Sequence, residues 1–95
     1  MIQSFRHTGL EAYFRRGETR RLPVQQAARR TRQLLLALDA ATGPADLTAN
    51  PGLHYHGLGE MDPGRYSLRV TGNWRLTFAW TAVRQPCEVD IEDYH

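Results

Sequence analysis

Three groups of side chains in this sequence have types and spacing suited to phosphodiester chemistry. Arg69 and Arg75 flank a short reversal at Thr71-Gly-Asn73 and share parity on their strands, so both can project from one sheet face. Two guanidinium groups on a rigid sheet suit a phosphate. His56 lies in Leu53-His-Tyr-His-Gly-Leu58 and offers an imidazole that titrates near ~6.5. The last three residues, Asp93-Tyr94-His95, bring a carboxylate, a phenol and an imidazole together. Cleavage of RNA by internal attack needs a base for the 2′-hydroxyl, an acid for the 5′-oxygen and cations for the developing charge. Histidine, tyrosine, aspartate and arginine can supply all of these without a metal. Each group also has a plainer reading. The strand arginines can pair with Glu88 and Asp90 across the sheet. A lone histidine is more often a structural or surface group, and terminal residues fray by default. His54 and His56 would point the same way on a strand, but two ligands do not make a metal site.

These groups need elements to hold them. Residues 2–5 form a short apolar opening that predicts a first strand. Thr8-Gly-Leu-Glu11 has the form of a capping box, and Leu10, Tyr13 and Phe14 then share one helical face up to a C-terminal Gly17. Pro23 is placed to open a second helix at its first position, with Val24, Ala28, Thr31, Leu35 and Leu38 recurring at helical spacing. Leu36 falls off that stripe and is expected to be exposed. Thr42-Gly-Pro44 ends the helix, one further helical turn fits at 45–47, and an edge strand fits at 53–58. Met61-Asp-Pro-Gly64 predicts a turn. Three alternating runs follow: Tyr66, Leu68 and Val70; Trp74, Leu76, Phe78 and Trp80; Cys87, Val89 and Ile91. They predict an antiparallel meander with one face on the helices. The expected architecture is α+β, with two N-terminal helices packed on a small antiparallel sheet in the order β-α-α-β-β-β and one domain over 1–95.

Ninety-five residues with 41% hydrophobic and 23% charged content suit a single globular domain and argue against general disorder. No apolar run reaches a membrane-spanning length, and the opening residues lack a secretory h-region, so the reading is cytoplasmic with no membrane contact. The single Cys87 has no partner for a disulfide or a cysteine zinc site. No phosphate-binding glycine pattern is present, so the sequence calls for no cofactor.

The net charge of +2 hides a split. Residues 1–32 carry eight Arg against Glu11 and Glu18, or +6, while residues 33–95 carry four Arg against eight acids, or −4. All twelve basic residues are Arg. Either a phosphate-binding surface or solvated helix faces with a compositional bias accounts for this.

The run Arg65-Tyr-Ser-Leu-Arg-Val-Thr-Gly-Asn-Trp-Arg-Leu-Thr-Phe78, followed by Glu92-Asp-Tyr-His95, resembles the HigB group of the RelE superfamily of bacterial toxins. Phe5-Arg-His-Thr-Gly-Leu10 and Leu38-Asp-Ala-Ala-Thr42 also match the pattern, so the resemblance covers essentially the whole chain. It implies a compact RelE-type fold and an endoribonuclease that enters the ribosomal A site and cuts mRNA. It also implies a helix-turn-helix, HigA-type antitoxin, through which alone operator DNA is contacted. By motif, it implies functional roles for His56, Arg75, Asp93, Tyr94 and His95, with Arg69 and Asn73 in support.

One departure stands out. Where the family commonly reads His-Pro-Leu-Lys-Gly, this chain reads His56-Gly-Leu-Gly-Glu60. If the missing lysine contacts phosphate, its load would pass to Arg65 or Arg69. The alternative function is therefore a catalytically weak or inactive module of the same fold, which binds its antitoxin and serves operon autoregulation. A stand-alone RNA-binding protein is a third reading, but it lacks an RRM-like aromatic signature.

Overall fold

The first helix begins where a histidine side chain supplies what the backbone lacks. In the computed structural model, which describes residues 1–94, α1 spans Thr8–Arg16 and its cap is His7, not Thr8. His7 Nδ1 accepts the Leu10 N–H at 3.0 Å. The expected capping box does not form, because Glu11 instead accepts from Arg15 at 2.9 Å one turn later. Gly17 closes the helix in the left-handed conformation, φ 75°, with its N–H on the Tyr13 carbonyl.

The second helix, α2, spans Ala28–Ala40 and starts later than Pro23 predicts. Pro23 lies in the approach, and a single 3₁₀ turn at Gln25–Ala27 leads into the helix. Val24 is still buried, but from outside the helix. Thr31, Leu34, Leu35 and Leu38 are fully enclosed, whereas Leu36 is 49% exposed, as its position off the stripe requires. A short α3 follows at Pro44–Thr48, the extra turn the sequence suggested, with Pro44 at its start.

The sheet has four antiparallel strands in sequential order: β1 His56–Gly57, β2 Tyr66–Arg69, β3 Trp74–Trp80 and β4 Pro86–Asp93. Helices precede all four strands, so the leading strand of the expected order is corrected. Residues 2–5 do run beside β4, but they make only one parallel bridge, Phe5 with Val89. Beside that bridge Glu88 takes a left-handed φ of 51° and bulges out of β4, which shifts the β3–β4 register between Thr77 and Ala79. The edge strand is also shorter than expected. Residues 51–53 form a tight turn and His54 is left-handed at φ 52°, so His54 and His56 do not share a strand face.

One sheet face carries Leu68, Leu76, Phe78, Val89 and Ile91 into a single core with Leu10, Leu34, Leu35 and Leu38. Burying a side chain of this size contributes about 1.5–3 kcal/mol relative to exposure. The bulge changes the parity of β4. Cys87 stands opposite Ala79 and so leaves the core face, while Val89 and Ile91 remain on it. Without that extra residue the acidic end of β4 would point into the core.

A candidate phosphodiester-cleaving face

The face of the sheet away from the helices collects most of the side chains singled out by the sequence. Arg69 and Arg75 are direct cross-strand partners, so their Cβ atoms leave the sheet side by side. They do not pair with Glu88 and Asp90 as the sheet-pairing alternative supposed. Arg75 Nη1 donates to the hairpin carbonyls of Thr71 at 2.8 Å and Gly72 at 3.2 Å. Arg69 Nε donates more weakly to the same Thr71 carbonyl at 3.4 Å. Asp90 stands opposite Thr77, and Glu88 sits in the bulge with Arg6 at 3.8 Å. Asn73 is exposed at the hairpin tip.

The C-terminal segment is tied to this hairpin. Asp93 is the cross-strand partner of Trp74, and the Tyr94 N–H donates to the Asn73 carbonyl at 2.7 Å. Pairing therefore continues past the last β4 residue and fixes the Tyr94 backbone at the hairpin. Tyr94 is half-buried, and burial raises its phenol above the usual range. Glu92, Asp62 and Asp90 push in the same direction, and Arg65 opposes them. The phenol thus remains a proton donor at neutral pH. His95 lies outside the described residues.

His56 is exposed on the edge strand and stands opposite Ser67, in the row that continues to Thr77 and Asp90. Strand spacing and rise put its Cα roughly 12 Å from that of Arg75. That gap leaves room for a substrate nucleotide between them. His56 stands two strands from Arg75, so a strand of RNA would have to span the distance between them.

Arg65, expected as a phosphate contact that could take the load of the missing lysine, has a different place. It is 4% exposed, and its guanidinium reaches over β3 to β4. Nη2 donates to Thr77 Oγ1 at 3.0 Å and Nη1 to the Glu88 carbonyl at 2.8 Å, with Asp62 3.8 Å from Nε. An arginine enclosed and bonded in this way is a structural clamp and presents no exposed head group to a phosphate. Thr77 in turn donates to Glu92 Oε2 at 2.5 Å. In the sequence Thr77 and Glu92 lie within the runs that carry the family resemblance, but the resemblance gives neither a place in the site. Their signal is the hairpin register, which places Glu92 opposite Arg75 and Thr77 two residues further along β3. Cys87 on the same face has its thiol raised by burial and by Glu88, which makes it a poor nucleophile near neutral pH.

The basic half of the chain divides in two. Arg30 is a fold element: its Nη2 donates to the Gly52 carbonyl at 2.7 Å and the Arg69 carbonyl at 3.0 Å. Arg20, Arg21, Arg29 and Arg32 are exposed. Among the described residues, no helix is long and apolar enough to cross a membrane.

A small α+β domain with an arginine-bearing sheet face fits a known class. A family model described as "RelE-like toxin of type II toxin-antitoxin system HigB" matches residues 3–95. The chain is a RelE-like toxin by class. More particularly, it belongs to the HigB-like toxin family. It is 35% identical to a Proteus vulgaris protein named Endoribonuclease HigB, over the full length of both chains. As a type II toxin it has an antitoxin partner.

Proposed function

We propose that this toxin is a ribosome-dependent endoribonuclease that cuts mRNA in the ribosomal A site by metal-independent acid–base chemistry. It acts in the cytoplasm and is neutralised by a HigA-type, helix-turn-helix antitoxin. The observation that carries the reading is the opposed Arg69–Arg75 pair with Tyr94 bonded to the same hairpin. The name of the Proteus vulgaris relative agrees with it.

In this mechanism His95 or His56 takes the 2′-hydroxyl proton. The 2′-oxygen then bonds to phosphorus as the bond to the 5′-oxygen breaks. Tyr94, or the other histidine, protonates that leaving oxygen. Arg75, with Arg69, offsets the charge that builds on the phosphoryl oxygens. Asp93 orients its neighbours and Asn73 helps seat the RNA. The products are a 2′,3′-cyclic phosphate and a 5′-hydroxyl. The exposed arginines of α1, α2 and their connection meet ribosomal RNA, with an affinity that falls steeply with salt.

A second reading rests on one observation. Gly59, in the stretch where the family commonly carries lysine, lies in an exposed turn at φ 60°, and the clamped Arg65 cannot take over that charge. A weakly active toxin kept for operon autoregulation fits that loss.

Mapping mRNA ends after incubation with purified protein, with and without programmed ribosomes, decides between them. New ends that need the ribosome and vanish in His56→Ala or His95→Ala support the nuclease. A folded protein that binds its antitoxin yet produces no ends supports the regulatory module.

A further inference from the structure

A largely buried polar chain lies beside the arginine pair on the same sheet face and bonds to both ends of the β4 segment that leads to Tyr94. Arg65 holds the Glu88 carbonyl at the bulge at 2.8 Å. Its other amino group holds Thr77 Oγ1 at 3.0 Å, and Thr77 holds Glu92 Oε2 at 2.5 Å. Thr77 is fully buried. Its hydroxyl gives its only proton to Glu92 and accepts from Arg65, so both ends of its orientation are set. Glu92 stands opposite Arg75 and two residues before Tyr94.

The chain therefore fixes β4 at two points, the bulge and the residue across from Arg75. A one-residue slip between those points would turn Glu92 and Tyr94 to the other face. A charged network in such a place is weak evidence for added stability, and fixing one register is a role that such networks serve in some proteins.

We propose that Thr77 and Glu92, clamped by Arg65, are positioning residues that hold Tyr94 in register with Arg75. Neither touches the RNA, and the inference rests on the cleavage site described above. The relay acts on the geometry of the chemical step, where a displacement near 1 Å can cost about 100-fold. It leaves the exposed RNA-binding surface unaltered.

The test compares Thr77→Val, which keeps the branched shape and removes the hydroxyl, with Thr77→Ser, which keeps the hydroxyl. Both are assayed as full-length protein on programmed ribosomes. Thr77→Val is expected to lower kcat by about 10- to 100-fold with KM within about 2-fold, and Thr77→Ser to stay within about 3-fold of the parent. A Thr77→Val, Glu92→Ala double variant should lose no more than its worse single parent, because the two act as one unit. Wild-type kcat in Thr77→Val, a serine variant as poor as the valine variant, or losses that multiply would each overturn the proposal.

Arg75→Ala and Tyr94→Phe run alongside. If they lose activity while Thr77→Val does not, the relay is wrong and the site stands. If they retain activity, the site reading is wrong. Amide hydrogen exchange decides the relay even when no cleavage is seen. Thr77→Val should speed exchange at the Tyr94 amide by about 10-fold or more while α2 is unchanged, with recovery in Thr77→Ser. Unchanged Tyr94 exchange overturns the relay.

Discussion

Arg69 and Arg75 face each other across the β2–β3 ladder, and both turn toward the carbonyl of Thr71. Like charges in direct cross-strand register oppose folding by about 0.2–1 kcal/mol. The hairpin carbonyls partly offset that repulsion, and a bound phosphate would offset it further. Relieving it should therefore separate stability from activity. Arg69→Thr is expected to leave the urea midpoint unchanged or raise it slightly, while cleavage falls by about 10-fold or more. Arg75→Ala should lower kcat by about 100-fold or more. A loss of stability that accounts for the lost cleavage would show the pair to be structural.

Burial raises the phenols of Tyr55 and Tyr94, and at each site a neighbouring ionisable group adds to it. The folded state then keeps protons that the unfolded chain has already released. The linked stability is present below the ordinary phenol range near ~10 and is lost as pH rises through the folded values. Urea midpoints should fall between about pH 9 and about pH 11, and less steeply in Tyr94→Phe. Parallel declines for the two proteins would remove Tyr94 from this account.

Gly9 is a packing position. A Cβ there would meet the Arg21 carbonyl oxygen at 2.6 Å and the Arg21 Cβ at 2.7 Å. The backbone after α1 would have to move. Gly9→Ala is expected to destabilise the fold by about 1–3 kcal/mol, read from thermal or urea unfolding. A neutral result would mean that the 18–22 connection shifts without strain.

The helical arginines should fall into two groups by effect. Arg30→Met removes the bonds to the Gly52 and Arg69 carbonyls and should cost about 1–2 kcal/mol of stability. Arg29→Gln and Arg32→Gln, both at exposed sites, should stay within about 0.5 kcal/mol of the parent. They should instead flatten the salt dependence of ribosome binding. Equal salt slopes for all three variants would place the RNA contact elsewhere.

The sequence by itself determined the helical core stripe, the alternating strands, the hairpin at 70–73 and the motif that marks the family. Those patterns are local: a period near 3.6 or 2 can be counted, and a Thr-Gly-Asn reversal needs few neighbours. It also placed Leu36 in solvent and Gly17 at a helix end. Tertiary structure decided the rest. His7 became the cap through its Nδ1 on the Leu10 N–H while Glu11 paired with Arg15, and the opening residues made a single bridge to β4 beside the Glu88 bulge. That bulge also fixed which face Glu92 and Tyr94 occupy, and no count of alternation reveals an inserted residue. Arg65 is by sequence a candidate to replace the missing lysine at a phosphate but closes over Thr77, because whether a guanidinium meets solvent depends on what the fold lays across it. Thr77 and Glu92 became partners only once the β3–β4 register brought residues fifteen apart in sequence within 2.5 Å.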